Sequence, residues 1–173
     1  MKASDEFEPL AVAVLTVSDT RSEQDDTSGD YLAGAAEGMG HSLYARSIVR
    51  DDIYQIREKL SCWIASSDVD VVLITGGTGF SGRDSTPEAV GPLFDKTIEG
   101  FGELFRHYSL ADIGTSTVQS RAIGGFANNT VIFAMPGSTG ACKLAWDKIL
   151  REQLDSRHRP CNFVGVLKVK AAQ

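Results

Sequence analysis

Apolar runs of strand length alternate along the chain with segments whose apolar residues recur at helical spacing. The run VDVVLIT is apolar enough to be covered on both faces of a sheet, whereas SLYARSIV is more polar and predicts a strand near an edge. This alternation favours an α/β protein with three layers, in which helices cover both faces of a mostly parallel sheet. The runs that predict strands are 11–17, 42–49, 69–75 and 130–135.

Polar residues mark where the first two predicted helices begin. Thr27 or Ser28 can cap a first helix, which we expect to end at Gly40. Asp51 or Asp52 can cap a second helix. The pattern leaves the capping residue open within each pair.

The second half of the chain is less regular. The stretch STPE at 85–88 predicts the start of a third helix, with proline in its first turn. Residues 136–154, PGSTGACKLAWDKILREQL, predict a loop that leads into a long helix. The span 98–128 is ambiguous, because a helical pattern in its first part gives way to a stretch that favours no element.

Length and composition are those of one ordinary globular domain. The chain has 173 residues, of which 42% are hydrophobic and 23% charged, and it contains no repeat or linker. We expect a single domain over 1–173 with flexible ends at 1–8 and 168–173. The net charge is -6 without a basic stripe, which argues against a nucleic-acid partner.

The cysteines and the N-terminus point to the cytoplasm. Cys62, Cys142 and Cys161 have neither a C-x-x-C pair nor a zinc spacing, as expected for thiols in a reducing compartment. The acidic N-terminus does not resemble a signal peptide. No window approaches the roughly 20 apolar residues that span a bilayer, so no membrane partner is expected.

Polar and glycine residues follow each predicted strand. In a parallel sheet the carboxyl ends of the strands form the ligand site, so these turns are expected to meet there. They are Ser18-Asp19, Asp51-Asp52, Thr75 to Asp84, and Pro136-Gly137-Ser138.

The glycine-rich turn TGGTGFSGRD allows three interpretations. Its G-x-G-x-x-G spacing suggests a dinucleotide site, but Pro87 places the helix start too late and no acidic residue follows a next strand. A P-loop requires Lys and then Ser or Thr after Gly82, where this chain has Arg83 and Asp84. The third interpretation is an anion site built from backbone N–H groups.

The anion-site interpretation explains the polar residues of this turn. Thr75 and Thr78 add hydroxyl donors, and Arg83 adds a fixed positive charge. Asp84 fits beside a phosphate if it holds Mg²⁺, which binds one or two carboxylates together with phosphate oxygens. The alternative is a tight strand-to-helix turn with a solvated Asp84.

The segment TGGTGFSGRDSTPEAV resembles the signature of the MoaB/MogA family of molybdenum cofactor biosynthesis proteins. Three further segments agree, namely LTVSDTRSEQDDTSGDYL, GTSTVQSRAIGGF and FAMPGSTGACKLAW, and the resemblance covers about residues 9–163. The short chain and the ending RPCNF are more similar to the MoaB branch. The resemblance implies a MoaB/MogA-like molybdopterin-binding fold.

The resemblance also implies a function and its ligands. The family binds molybdopterin, a pterin with a dithiolene and a terminal phosphate, and MogA-like members transfer AMP from Mg-ATP to that phosphate. The expected activity is therefore that of a molybdopterin adenylyltransferase. A non-catalytic protein that binds or delivers the pterin and, less favoured, a scaffold for pathway assembly are the alternatives.

Site residues are carried over by their motifs. Asp51 and Asp84 match the two functional aspartates, which are expected to be catalytic and to bind Mg²⁺, although Asp52 is an alternative to Asp51 and either could be a helix cap. Asp26 and Gly29 match the region where the first helix begins, and the alternative for Asp26 to Gly29 is ordinary helix capping. The residues expected to bind the pterin or ATP are Ser18, Asp19, Thr75, Gly76, Gly77, Thr78, Gly79, Arg83, Ser120, Arg121, Pro136, Gly137 and Ser138.

One motif departs from the family pattern. The adenylyltransferase branch often has Pro-Gly-x-Pro where this chain has Pro-Gly-Ser-Thr-Gly at 136–140, which puts catalysis in question.

The resemblance also implies an assembly. Family members form trimers, and MoaB-like members hexamers, which implies a homotrimer or homohexamer and possible contact with other cofactor-biosynthesis proteins. The apolar residues of EGFGELF and CNFVGVL fit either an interface or the core of the monomer.

Overall fold

The computed structural model describes residues 4–170, with side chains up to residue 167. The predicted alternation of strands and helices is confirmed. Short 3-10 helices occupy Gly91–Leu93 and Gly114–Gln119, and a π-helical turn occupies Trp146–Leu150. The remaining elements are β1 Ala11–Val17, α1 Thr27–Met39, β2 Ser42–Val49, α2 Ile53–Ala65, β3 Val71–Thr75, α3 Thr86–Val90, β4 Lys96–Thr97, α4 Glu99–Ile113, β5 Ile123–Ala127, β6 Thr130–Met135, α5 Thr139–Ala145, α6 Arg151–Gln153 and α7 Val164–Lys170.

The sheet is mostly parallel, as predicted. Its six strands lie in the order β2-β1-β3-β6-β5-β4, so the polar strand β2 is at an edge. The first four strands of this order are parallel, and β5 is antiparallel to both of its neighbours, β6 and β4. β5 and β6 form a hairpin whose turn residues Asn128 and Asn129 both have positive φ, which Asn tolerates well.

Helices cover both faces of the sheet and complete three layers. On β3, Val71 and Leu73 pack into the core beneath α1, α4 and α5, while Val72 and Ile74 pack beneath α2 and α3. All four side chains are fully buried, which explains why this strand is continuously apolar.

The structure corrects the predicted cap of α1 and decides the cap of α2. Asp26 caps α1 by accepting the N–H of Gly29 at 3.0 Å, so Thr27 and Ser28 were wrong. Ser28 lies inside the first turn, where its hydroxyl donates to a carbonyl of the loop after β6. Asp52 caps α2. Gly40 ends α1 in the left-handed conformation, as predicted.

The long helix expected after residue 138 is present over 139–153, where α5, the π-helical turn and α6 follow one another without a break. One predicted strand boundary differs from the structure. Strand β3 begins at Val71 and not at residue 69, although the backbone of Asp70 bonds to Ala11 and Val131, and its carboxylate accepts the N–H of Ala11 at 2.8 Å. The ambiguous span 98–128 contains α4, the second 3-10 helix and β5.

The segment before β1 lies against the C-terminal region. Ser4 N–H donates to the carbonyl of Ser156 at 2.9 Å, and the hydroxyl of Ser156 donates to the carbonyl of Glu6 at 2.7 Å. Residues 1–3 and 171–173 of the expected flexible ends lie outside the described residues, and the flexibility of both ends stays a prediction. Within residues 4–170, no helix combines the length and apolarity needed to cross a membrane.

Candidate functional site

An open pocket of about 620 Å³ lies at the carboxyl ends of β1, β3 and β6. This is the edge of the sheet where ligands of α/β proteins bind. We call it the phosphate pocket, because backbone N–H groups of the glycine loop lie in its wall. It is lined by Val17, Ser18, Thr20, Arg21, Gly76, Gly77, Thr78, Gly79, Asp84, Ile113, Ser116, Gln119, Ser120, Pro136, Gly137 and Ser138.

The glycine loop, residues 76–79, turns its carbonyl groups away from the pocket. Thr86 donates its hydroxyl to the carbonyl of residue 76 at 2.8 Å and its N–H to that of residue 77 at 2.9 Å. Arg121 donates its N–H to the carbonyl of residue 78 at 3.2 Å and its Nε to that of residue 79 at 2.8 Å. All four carbonyls are therefore held by groups outside the pocket.

The N–H groups of this loop consequently face the other way. In a planar trans peptide the C=O and the following N–H point in opposite directions. The N–H groups of residues 77–79 therefore point away from Thr86 and Arg121, and none has a hydrogen-bond acceptor in the described part of the chain. Successive free N–H groups of this kind form a concave anion site.

Two of the glycines are required by this conformation. Gly76 and Gly77 have φ of +104° and +66°. A Cβ on Gly76 would lie 2.1 Å from the carbonyl oxygen of Val17, and one on Gly77 would lie 2.4 Å from the hydroxyl of Thr86. Loop and strand can approach this closely only with glycine at these positions.

Asp84 is the carboxylate that lines the pocket. One of its oxygens accepts the N–H of Ser81 at 2.8 Å, and the N–H of Asp84 donates to the carbonyl of Ser81 at 3.0 Å. This tight turn fixes the carboxylate against Gly79. Asp84 is thus placed next to the free N–H groups, as the sequence predicts for a residue that holds a phosphate-bound cation.

Asp51 lies behind the glycine loop and outside the pocket lining. Its Oδ1 accepts the N–H and the hydroxyl of Ser85, and its other oxygen lies beside Gly77. Since Asp52 is the helix cap, the two neighbouring aspartates have different contacts. The structure brings Asp51 to the loop but not into the cavity.

Asp19 and Arg83 bind each other at the pocket rim. Arg83 donates Nε and Nη2 to the two carboxylate oxygens of Asp19, at 3.0 and 2.8 Å. The hydrogen bond from Arg83 lowers the pKa of the Asp19 carboxyl, and Asp19 in turn raises the pKa of the Arg83 guanidinium. This pair joins the loop after β1 to the glycine loop, and neither residue lines the pocket.

Arg121 braces the outside of the glycine loop. Besides its bonds to that loop, it donates Nη2 to the carbonyl of Asp84 at 3.1 Å and forms an ion pair with Glu88. Its guanidinium stacks on the exposed ring of Phe80, 5.0 Å from the ring centre. These contacts occupy the group that the sequence predicts to bind phosphate or pterin.

Most of the other expected ligand residues do meet at the pocket. Ser18, Ser120 and the segment Pro136–Ser138 line it, each from a different loop. Thr75 does not line it, because its fully buried hydroxyl donates to the carbonyl of Pro136 at 3.2 Å. That hydroxyl also contacts the thiol of Cys142, whose pKa is raised by burial.

Asp26 is a buried carboxylate near the start of α1. Besides capping the helix, it accepts the hydroxyl of Thr16 at 2.7 Å and Nη2 of Arg46 at 3.0 Å. Gly29 lies so close that an added Cβ would fall 2.0 Å from this carboxylate. Asp26 and Gly29 therefore shape the loop that flanks the pocket, and neither lines it.

Sequence reasoning missed two parts of the lining. Arg21 follows the expected Ser18-Asp19 pair in the same loop, and its position shortly after a strand was the available signal. The other missed part is the 3-10 helix Gly114–Gln119, which supplies Ser116 and Gln119 from the ambiguous span.

A smaller cavity of about 210 Å³ adjoins the phosphate pocket, and we call it the annex. The two cavities share Ile113, Ser120, Pro136 and Ser138. The hydroxyl of Ser120 is buried and has no hydrogen-bond partner in the described residues. The annex is lined by Phe105, Ser109, Asp112, Ile113, Ser120, Pro136, Ser138, Gly140, Ala141 and Leu144.

The donor set suits a magnesium ion that arrives with phosphate, not a tightly held metal. Among residues 4–170, no group of three or more His, Cys, Asp or Glu side chains is arranged around a common point. Mg²⁺ commonly uses one or two carboxylates and completes its shell with phosphate oxygens and water. Asp84, in the pocket wall beside the anion site, fits that requirement.

The chain is similar to known proteins over most of its length. The sequence model of a family described as a probable molybdopterin binding domain matches residues 13–156. The chain is 57% identical over 167 residues to molybdenum cofactor biosynthesis protein B of Escherichia coli (strain K12), covering 96% of this chain and 98% of that protein. It is 47% identical over 150 residues to the protein of the same name from Staphylococcus epidermidis, covering 84% and 85%.

Solved structures are similar as well. A crystal structure of molybdenum cofactor biosynthesis protein B matches with a TM-score of 0.84 and 41% identity, covering 96% of this chain and 98% of that one. The tungsten cofactor synthesizing protein MoaB from Pyrococcus furiosus matches with a TM-score of 0.77 and 36% identity, covering 84% and 92%. The resemblance drawn from the four sequence segments and the predicted fold class are confirmed.

Proposed function

The chain belongs to the family of probable molybdopterin binding domains of molybdenum cofactor biosynthesis, and from this premise we propose that it binds molybdopterin and adenylylates its terminal phosphate with Mg-ATP. The observation that carries the proposal is the glycine loop, where the N–H groups of residues 77–79 are free beside Asp84. Transfer of a nucleotidyl group depends mainly on positioning and charge neutralisation, which such a loop supplies.

The pterin ring of molybdopterin occupies the annex in this proposal. Phe105 and Leu144 provide apolar walls for a flat ring. The pyrimidine edge of a pterin presents two adjacent N–H donors, which match the two acceptor oxygens of Asp112. Adenine lacks such a donor pair, so the annex suits the pterin better than the base of ATP. The free hydroxyl of Ser120 can satisfy a further ring atom.

The terminal phosphate then lies in the phosphate pocket. Its oxygen attacks the α-phosphorus of ATP, a new P–O–P bond forms, and pyrophosphate leaves. The N–H groups of residues 77–79 orient the phosphates by hydrogen bonds. Asp84 would hold a magnesium ion that comes with ATP, and the ion would supply positive charge for the leaving pyrophosphate. Asp51 acts behind the loop by fixing Ser85, the neighbour of Asp84.

A non-catalytic role in pterin binding or delivery is the second candidate. Two observations favour it: Asp51 lies outside the pocket, and the loop after β6 carries Ser138-Thr139-Gly140 where the adenylyltransferase branch often has proline. A scaffold role has no supporting contact among the described residues and is the least favoured.

Incubation with molybdopterin, Mg²⁺ and ATP, followed by detection of the adenylylated pterin, tests the proposal. Product formation supports the adenylyltransferase. Pterin binding without product under conditions that support a MogA-like control enzyme would select the delivery role. Stabilisation against heat by NAD without magnesium, and none by Mg-ATP, would contradict the binding of Mg-ATP and favour a dinucleotide site.

The proposed assembly is a homotrimer or homohexamer, and other cofactor-biosynthesis proteins are further candidate partners. Phe101 and Phe105 close the core of the monomer, but Leu110, Ile113 and Val118 expose 52%, 53% and 74% of their surface along α4 and the following 3-10 helix. Such grouped apolar surface is typical of interfaces. A solution mass near the 18.6 kDa monomer would contradict the assembly.

We place the proposed reaction in the cytoplasm. Cys62 and Cys161 are exposed free thiols, which persist in a reducing compartment. Retention of both thiols in protein isolated under non-oxidising conditions, together with cytosolic fractionation, would support this location.

A further inference from the structure

Of the arginines near the phosphate pocket, Arg83 and Arg121 are committed to protein partners. Arg83 is bound to Asp19 by two hydrogen bonds, and Arg121 is bound to the glycine loop and to Glu88. Neither lines the cavity. We propose that Arg21 is the residue whose guanidinium binds the phosphate group of the substrate, an inference that rests on the proposed function.

The backbone around Arg21 directs its side chain across the pocket. The N–H of Arg21 donates to the hydroxyl of Ser18 at 3.1 Å, which bends the loop after β1. Its Nη2 then donates to the carbonyl of Gly137 at 2.9 Å, in the loop after β6. The guanidinium therefore bridges two of the loops that form the pocket, and its side chain is 28% exposed.

Arg21 has N–H donors that are available to bind a ligand. A guanidinium carries five N–H groups, and in the described part of the chain one of its nitrogens is engaged in a hydrogen bond. The carboxylate nearest to it is Asp26, whose Oδ1 lies 3.7 Å from Nη1, beyond hydrogen-bond distance. Asp26 is already bound by Thr16 and Arg46, so it does not depend on Arg21 for its partners.

Charge balance in the cavity leads to the same residue. Among the described residues that line the phosphate pocket, Asp84 and Arg21 are the charged ones. A phosphate anion that enters beside Asp84 experiences repulsion unless a cation compensates it. Planar guanidinium groups bind phosphate oxygens through paired hydrogen bonds, so Arg21 supplies both the charge and the geometry.

The test compares Arg21→Gln and Arg21→Lys with the wild-type protein. The probes are inorganic phosphate, Mg-ATP and molybdopterin, each titrated by calorimetry. We expect Arg21→Gln to weaken binding of at least one phosphate probe by about 10- to 100-fold, the usual effect of losing a charged hydrogen bond. Arg21→Lys keeps the positive charge but loses the paired N–H donors of the guanidinium. Its affinity for the probes is expected to lie between those of the wild type and Arg21→Gln.

The pattern of losses identifies the source of the phosphate. Weaker binding of molybdopterin and inorganic phosphate assigns Arg21 to the pterin phosphate, and weaker Mg-ATP binding assigns it to the nucleotide. Arg157→Gln, an exposed arginine in the loop before the C-terminal helix, is the matched control and should bind all probes normally. Thermal melting without ligand confirms that each variant is folded.

Two outcomes contradict different claims. If Arg21→Gln binds every probe as tightly as the wild type, Arg21 is not the phosphate-binding residue, while the proposed function stands. If the wild type itself binds neither Mg-ATP nor molybdopterin, the proposed function fails, and the role of Arg21 fails with it.

Discussion

Asp51 and Ser85 form a two-point contact, in which one carboxylate oxygen of Asp51 accepts the backbone N–H of Ser85 at 2.9 Å and its hydroxyl at 2.5 Å. The second oxygen of Asp51 lies beside Gly77. One partly buried side chain therefore holds the residue after Asp84 and supports the glycine loop. This geometry gives Asp51 a positioning role.

Replacement of Asp51 should destabilise the protein. In Asp51→Ala the N–H and the hydroxyl of Ser85 lose their acceptor, and because these groups are only partly buried the loss is on the order of 1 kcal/mol of unfolding free energy for each hydrogen bond. Urea denaturation measures the change. Asp52→Ala is the matched control and should lose about 1 kcal/mol, the usual contribution of a helix cap. Normal stability with abolished turnover in Asp51→Ala would show instead that Asp51 acts on the ligand.

Two glycines of the same segment should respond very differently to alanine. Gly76→Ala places a residue with a side chain in the left-handed conformation, which costs about 1–2 kcal/mol of unfolding free energy. It also adds a clash between the new Cβ and the carbonyl of Val17. In Gly82→Ala the new Cβ meets nothing within 4 Å, so the change should stay within about 0.5 kcal/mol. Chemical denaturation of both variants checks this difference. Equal stabilities would mean that the loop conformation at Gly76 is not required.

His41 should make stability depend on pH. Its Nδ1 accepts the N–H of Leu10 at 3.1 Å, and burial lowers the pKa of His41, although the charges of Asp155 and Asp70 act in the opposite direction. A lowered pKa in the folded state means that folding favours the neutral ring. The contribution of His41 to the free energy of unfolding is therefore complete above the pKa of about 6.5 that His41 has in the unfolded chain. It is lost as the pH falls below that value.

The matched variant for this effect is His41→Gln, whose amide oxygen can still accept the N–H of Leu10. We expect the wild type to lose more unfolding free energy than His41→Gln between about pH 7.5 and about pH 5, as measured in urea. Parallel losses in the two proteins would show that His41 is not a source of the pH dependence.

The sequence identified the edge of the sheet that forms the site, but not the partners of its charged groups. The glycines and Asp84 could be predicted because a strand followed by successive glycines leaves few backbone alternatives. Arg83 looked like a phosphate ligand because it follows the glycine loop and offers charge, and Arg121 because it matches the Ser-Arg pair implied by the resemblance. Only the folded chain shows that Asp19 binds the first and the loop carbonyls bind the second.

Some elements of the fold could also be predicted from the sequence, and others could not. The buried strands follow directly from their apolar runs, whereas two of the five residues of β5 are glycine, so its apolar pattern is weak. Its pairing with β6 depends on the turn at Asn128-Asn129. The cap of α1 stayed open in the sequence because Asp26, Thr27 and Ser28 all have side chains that can cap a helix, and the buried contact of Asp26 with Thr16 is seen only in the folded chain.

Asp112 should distinguish pterin from nucleotide binding. In Asp112→Asn the side chain keeps its shape, but one acceptor oxygen becomes a donor that opposes the N–H pair of the pterin edge. We expect pterin affinity to fall about 10-fold or more, with Mg-ATP affinity unchanged. Fluorescence titration with pterin and calorimetry with Mg-ATP separate the two ligands. Loss of Mg-ATP binding alone would place the base, and not the pterin, in the annex.

The most direct measurement is the single-turnover rate of adenylylated molybdopterin formation by the wild type and by Asp84→Asn. The variant keeps the shape of the pocket wall and removes the charge beside the free N–H groups of residues 77–79. We expect product from the wild type. The rate of the variant should be lower by a factor of about 10² or more, as when one transition-state contact is removed. Equal rates in the two proteins, or no product from a wild type that binds both substrates, would contradict the assignment of this pocket as an adenylyltransferase site.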